Sequence, residues 1–173
     1  MKTFEQVYET LPANGWLTEE EARLLWDFAG QFSGPILEVG VYHGRSSCLL
    51  ASLGRPLYCV DPFDGFDEDW GGDEIERRFR ANMAGRDLSN FFLFRMRVED
   101  WNISNVNFAY LDGDHTAEGT RRQIEVARKC KAKGIAIHDV NDSGGGLPIK
   151  EVALKMLGPW ESRAGRLATW RLA

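Results

Sequence analysis

The sequence predicts an α/β fold: a mostly parallel sheet with helices on both faces and an antiparallel hairpin strand at the C-terminus. Three observations predict it. Short continuous apolar runs, the pattern of strands buried on both faces, alternate with stretches whose apolar residues recur every three or four positions. Several of those runs end in glycine or an acidic residue. The chain then closes on two extended stretches, 160–163 and 167–172, around Ala164-Gly165, which read as a hairpin.

Taken in order, Thr3 and Gln6 have capping-box spacing, and Phe4, Val7, Tyr8 and Leu11 form a helical stripe that Pro12 closes. Asn14-Gly15 is a turn. Thr18 and Glu21 make a second capping box, followed by Ala22, Leu25, Trp26 and Ala29 on one face. These helices either cover a face of the sheet or lie over a ligand, and core packing is expected of Trp16 and Trp26. Ile36, Leu37 and Val39 form the first strand, Gly40 allows a tight turn, and a helix runs from Gly44 to Ala51, with Gly54 to end it. Leu57 to Val60 is a second strand ending in Asp61. The acidic, aromatic stretch 61–72 lacks the glutamate and spacing of a calcium-binding loop and reads as a flap or a solvated loop. Asp73 caps a helix carrying Ile75, Phe79 and Met83, stopped by Gly85. Residues 91–94 are a third strand. Residues 106–111 are a fourth, ending in Asp112-Gly113-Asp114-His115. Thr116 caps the next helix, with Thr120, Ile124 and Ala127 on one face and Gly134 to end it. Residues 134–137 are a fifth strand, ending in His138-Asp139. The loop 141–146 is flexible by composition. Pro148 suits the first turn of a helix carrying Ile149, Val152, Ala153 and Met156, which Gly158-Pro159 stops.

With 173 residues the chain is long enough for one domain with a real core, read as N-terminal helices over 1–34 and the sheet with its helices over 35–173. A net charge of −5 argues against a broad cationic surface for nucleic acid, while leaving a local basic patch open. No apolar run reaches membrane-spanning length, and residues 1–5 lack the apolar core of a signal peptide. Cys48, Cys59 and Cys130 are odd in number and widely spaced, which suits buried, reduced thiols of a cytoplasmic protein. A homo-oligomer stays open.

The turn after the first strand is Glu38-x-Gly40-x-x-x-Gly44. The dinucleotide fingerprint, G-x-G-x-x-G, is tighter and packs its glycines against a pyrophosphate. Here the leading residue is acidic; it repels a pyrophosphate and attracts an ammonium group. The helix dipole and free N–H groups at the turn favour oxygen acceptors. Asp61, 23 residues after Glu38, suits hydrogen bonds to ribose hydroxyls. The same features also read as an ordinary tight turn and a turn aspartate.

The stretch from Leu37 to Ser47 resembles motif I of the class I S-adenosylmethionine (SAM) methyltransferases. Tyr110-Leu111-Asp112-Gly113-Asp114-His115, paired with Ile137-His138-Asp139, is similar to a small branch that includes sugar and antibiotic-tailoring O-methyltransferases. The resemblance spans roughly residues 35–172 and implies a Rossmann-like sheet and SAM as cofactor. It implies cofactor contacts from Glu38, Gly40, Tyr42, Gly44, Ser46, Asp61 and Asp112, with Arg97, Val98 and Glu99 after the third strand near the adenine. In the metal-dependent members, Asp112 would ligate a divalent cation with Asp139 and His138, and carboxylates suit magnesium. The chain departs from that group beside the second ligand, where an acid or amide is usual and His138 and Val140 stand. His115 falls where the group places its catalytic base, and a histidine near neutral pKa suits this work. His43 and His138 are rivals for that role. The implied reaction is methyl transfer to a hydroxyl of a small molecule; sugars, phenols, small acids and macrolides all stay open as acceptors. A nicotinamide oxidoreductase would need the tighter glycine fingerprint. A non-catalytic SAM-binding module would keep Glu38, Gly40 and Asp61 without needing His115.

Overall fold

A computed structural model describes residues 2–64, 71–86 and 88–172. Its elements run α1 (Phe4–Tyr8), α2 (Glu19–Ala29), β1 (Ile36–Val39), α3 (Arg45–Ala51), β2 (Leu57–Asp61), α4 (Gly72–Ala84), β3 (Phe91–Arg95), β4 (Phe108–Leu111), α5 (Ala117–Lys129), β5 (Gly134–Ile137), α6 (Leu147–Leu157), β6 (Ser162–Ala164) and β7 (Leu167–Arg171). The seven strands form one sheet in the order β3-β2-β1-β4-β5-β7-β6. The first five are parallel; β7 is antiparallel to both β5 and β6.

Pleating divides the apolar residues of each strand between two cores. Along β4, Phe108 and Tyr110 pack with α1 to α4, while Ala109 and Leu111 pack with α5 and α6. The helices supply the matching stripes, Leu25 and Phe28 from α2 and Ile75, Phe79 and Met83 from α4 on one side, Ile124 and Ala127 from α5 and Ile149 and Ala153 from α6 on the other. Truncating a fully buried aromatic such as Phe79 to alanine costs about 3–5 kcal/mol. The sheet grows from β1 to β3 in one direction and from β4 to β5 in the other. A crevice therefore opens between the carboxyl ends of β1 and β4, where open α/β sheets hold their ligands.

Both N-terminal capping boxes form, with Thr3 and Gln6 on α1 and Thr18 and Glu21 on α2. Four expectations are corrected. Helix α1 stops at Tyr8, before Leu11 and Pro12, because the chain must turn early to bring residues 12–17 over α3. Trp16 is 65% exposed and lies outside the core against the ring of Tyr42, whereas Trp26 packs against the core. Gly71, with no side-chain bond, caps α4, so Asp73 lies inside the first turn and gains from the helix dipole instead. Helix α5 ends at Lys129, well before Gly134, which opens β5. The residue that turns the chain out of α5 is Lys131, in left-handed conformation at φ 63. Glycine usually takes that position, and a side chain there costs about 1–2 kcal/mol.

Within the loop after β5, Gly144–Gly146 forms a single 3-10 turn. The central part of the acidic stretch read as a flap, 65–70, lies outside the described residues. All three cysteines are buried and unbridged. Among the described residues, no helix is long and apolar enough to cross a membrane.

Candidate active site

The turn after β1 takes its shape from Gly40. Its φ is +81, and a Cβ there would stand 2.2 Å from the carbonyl oxygen of Asp112. Only glycine lets β1 and β4 close this tightly at their carboxyl ends. The Asp112 N–H donates to the Val39 carbonyl at 2.8 Å, which locks the approach. Tyr42 is also left-handed, at φ 44, a conformation that a bulky residue keeps only when its surroundings fix it. Its ring stacks on His43 at 3.9 Å and meets Trp16 at a tilt, 5.0 Å between centroids. Gly44, at φ 84, caps α3.

Below this turn lies Glu38, with no exposed surface. Ser46 Oγ donates to Glu38 Oε1 at 2.5 Å, and Cys59 Sγ lies 3.7 Å from Oε2. Burial pushes this carboxyl up to about 7, against the hydrogen bonds that favour its charge. Glu38 and Ser46 thus hold β1 to α3 from beneath the turn, away from solvent. Asp61 is also committed to backbone: Oδ2 accepts from Val41 at 2.8 Å and Tyr42 at 3.4 Å, and Oδ1 accepts from Phe63 at 2.8 Å. Each oxygen keeps acceptor capacity, so the carboxylate pins the turn and still borders the crevice. Val98 is buried in the core beside α5 and α6, and exposed Arg97 pairs with Asp64.

The second half of the site joins the ends of β4 and β5. Asp112 accepts from the buried Tyr110 hydroxyl at 3.0 Å. His138 Nδ1 lies 3.3 Å from Asp112 Oδ1 and 3.7 Å from Asp139 Oδ1. Its Nε2 is 3.4 Å from Glu21 Oε2, an ion-pair contact outside hydrogen-bond geometry. His115, with its side chain 52% exposed, spans the two aspartates, Nε2 at 3.4 Å from Asp112 Oδ1 and Nδ1 at 3.5 Å from Asp139 Oδ2. Burial opposes the charge on His138, but Asp112, Glu21 and Asp139 outweigh it and raise its pKa. Burial likewise opposes ionised Asp112, and the two imidazoles reverse the balance and lower its pKa. A hydrogen bond that the imidazole donates to the Asp112 carboxylate raises that of His115. His43, by contrast, is buried inside the first turn, and its carbonyl accepts from Asn82.

Two members of this cluster carried no signal as site residues in the sequence. Glu21 belongs to a capping box, yet its carboxylate also accepts the Arg166 N–H at 2.8 Å. Arg166 sits in the β6–β7 turn and donates to Asp139 Oδ1 at 2.8 Å and to the Trp16 carbonyl at 3.2 Å. Only the placement of β7 beside β5 brings it there. Asp139 is left-handed, at φ 57, which directs its carboxylate back toward this group.

A glycine turn braced by an acidic residue, an aspartate at the end of β2 and a polar cluster at the ends of β4 and β5 share one edge of a sheet with the architecture of a class I SAM-dependent methyltransferase. The particular family follows from comparison with known proteins: a family described as methyltransferase domain matches residues 37–140, and the chain belongs to it. No curated protein matches the sequence. Among solved structures, the apo form of a TDP-rhamnose 3'-O-methyltransferase of calicheamicin biosynthesis is similar at 17% identity and a TM-score of 0.62, over 97% of this chain and 90% of that one. An O-methyltransferase from Bacillus cereus in complex with S-adenosylhomocysteine (SAH) is similar at 14% identity and a TM-score of 0.66, over 98% and 89%.

Proposed function

We propose that this enzyme methylates a hydroxyl of a small molecule, with His115 as the general base. The observation that carries the reading is the position of His115, half exposed at the ends of β4 and β5 and bridging Asp112 and Asp139. SAM, when bound, supplies a methyl group on a sulfonium whose sulfur keeps the electron pair of the broken bond and leaves as SAH. His115 takes the proton of the acceptor oxygen, and Asp112 and Asp139 hold the imidazole in place and stabilise its charged form. Gly40, Tyr42 and Gly44 present backbone to the cofactor, Asp61 turns its free acceptor capacity to the ribose, and Asp112 borders the methionine end. Glu38 and Ser46 support that turn from below. Arg97 and Val98 edge the adenine. The whole chain works as one catalytic domain, with helices over 1–34 packed on the core over 35–173. The unbridged thiols suit a reducing, cytoplasmic setting. A sugar hydroxyl is the first acceptor to screen, since the calicheamicin neighbour is a rhamnose methyltransferase.

Asp112, His138 and Asp139 offer two carboxylates and an imidazole whose ligand atoms all lie within 4.8 Å of one another, a set that fits a divalent cation such as magnesium. Those three residues would hold it, and its charge would ease deprotonation of the acceptor. A metal-independent reaction is the second reading, because Arg166 and both histidines already balance the two carboxylates. Activity that survives excess chelator, with no ion found by metal analysis, selects the second.

The test of the base is His115→Ala, assayed with an acceptor found by screening. Turnover should fall by about 10²–10⁴-fold with SAH affinity retained. Unchanged turnover across the pH range removes His115 from the reaction.

A further inference from the structure

The opposite end of the sheet carries a second cavity, of about 920 Å³, with four cations in its lining, Arg128, Lys131, Lys133 and Arg171, and no acidic residue. We propose that it binds a small polyanion, a nucleotide-sized molecule bearing at least two phosphate groups. Its place in the fold separates it from the methyl-transfer site. Asn107 and Lys133, both in the lining, immediately precede β4 and β5, whereas Asp112 and His138 immediately follow them. A four-residue strand, roughly 13 Å long, stands between the two ends.

The local charge is opposite to that of the molecule, which has a net charge of −5. Stabilisation of a helix C-terminus accounts for Arg128, in the last turn of α5, whose guanidinium also donates to the Met156 carbonyl. Lys131, just past the same helix end, shares part of that stabilisation, but Lys133 and Arg171, at strand ends, do not. Lys133 stands at the start of β5, and Arg171 ends β7. Lys131 holds the left-handed position where glycine is the unstrained choice, so the chain keeps an ammonium group at a cost in backbone energy. Lys131 and Lys133 are exposed on either side of buried Ala132, and neither has an ion pair among the described residues. Arg171 is pre-positioned: its guanidinium lies 5.2 Å from the Phe32 ring and 5.7 Å from the Phe28 ring and donates to Gln31 Oε1 at 2.5 Å. Glu161, 3.3 Å away, offsets part of its charge, which leaves the two lysines as the dominant attraction. The volume matches a small-ligand pocket, and lysines serve as point charges for phosphate oxygens.

Calorimetry with inorganic pyrophosphate and with ADP, at physiological ionic strength, tests the proposal on the full chain. Saturable binding should weaken at least about tenfold in the Lys131→Ala, Lys133→Ala double variant, with SAH affinity unchanged. Lys131→Gly, which relieves the strained backbone, should bind the probes more weakly while unfolding at a higher temperature. Equal binding by the double variant, no saturation by either probe, or displacement of the probes by SAH would overturn the site. Tighter binding of an oligonucleotide than of ADP would overturn the ligand class.

Discussion

Glu38 is a carboxyl group beneath the glycine turn after β1, raised by burial from an ordinary value of 4.5 to about 7. A group whose folded pKa is raised contributes stability that is complete below its unfolded value and is lost as pH climbs through the folded one. Wild-type protein should therefore lose stability relative to Glu38→Gln between about pH 4.5 and pH 7. The full difference is on the order of 3 kcal/mol, from 1.36 kcal/mol per pKa unit. Urea unfolding of both proteins at pH 5 and pH 7.5 reads it, and parallel pH profiles would show that Glu38 is not so perturbed. The sequence identified this residue as acidic and placed it at the turn. It could not show whether the carboxylate faced a ligand or a serine below, because that depends on how far α3 sits from β1. That His115, Asp112 and Asp139 lie close together was legible for the opposite reason. Asp112 directly follows β4, His115 lies three residues further on and Asp139 is the second residue after β5, and strand ends in a parallel sheet share one edge.

At the scale of elements, the five parallel strands and the helices α2 to α6 were legible in apolar runs, capping residues and glycines. So was the closing hairpin. Boundaries failed where a long-range contact outweighed the local signal. Arg45 takes the Leu17 carbonyl at 3.0 Å and the Pro12 carbonyl, which pulls residues 12–17 across α3 and exposes Trp16. The position of β7 between β5 and β6 was not legible, and with it went the route of Arg166 into the site. The meeting of β1 and β4 at Gly40 supplies a prediction at this scale. Gly40→Ala places a methyl group 2.2 Å from the Asp112 oxygen in a backbone that alanine disfavours. It should cost at least about 2 kcal/mol of stability and weaken SAH binding together. Wild-type melting and SAH affinity in this variant would mean that the two strand ends are not held this close.

For the whole molecule, the long reach of Arg166 has a consequence for how the protein folds. Its backbone N–H meets Glu21 and its guanidinium meets Trp16 across sequence separations of 145 and 150 residues. The entropy of closing such long loops delays these contacts until the sheet is largely in place. The contacts that Arg166 makes at the ends of β4 and β5 are therefore joined late on the folding path, and their loss should leave the folding transition state nearly untouched. Arg166 is partly exposed, so Arg166→Ala should cost about 1 kcal/mol. That loss should speed unfolding roughly fivefold with an almost unaltered refolding rate. Stopped-flow chevrons distinguish this from the alternative, in which slower refolding places the hairpin in the nucleus. A polar cluster clasped in this way owes its lifetime to a barrier that operates after the fold is made, and the clasp governs how long a folded molecule stays folded.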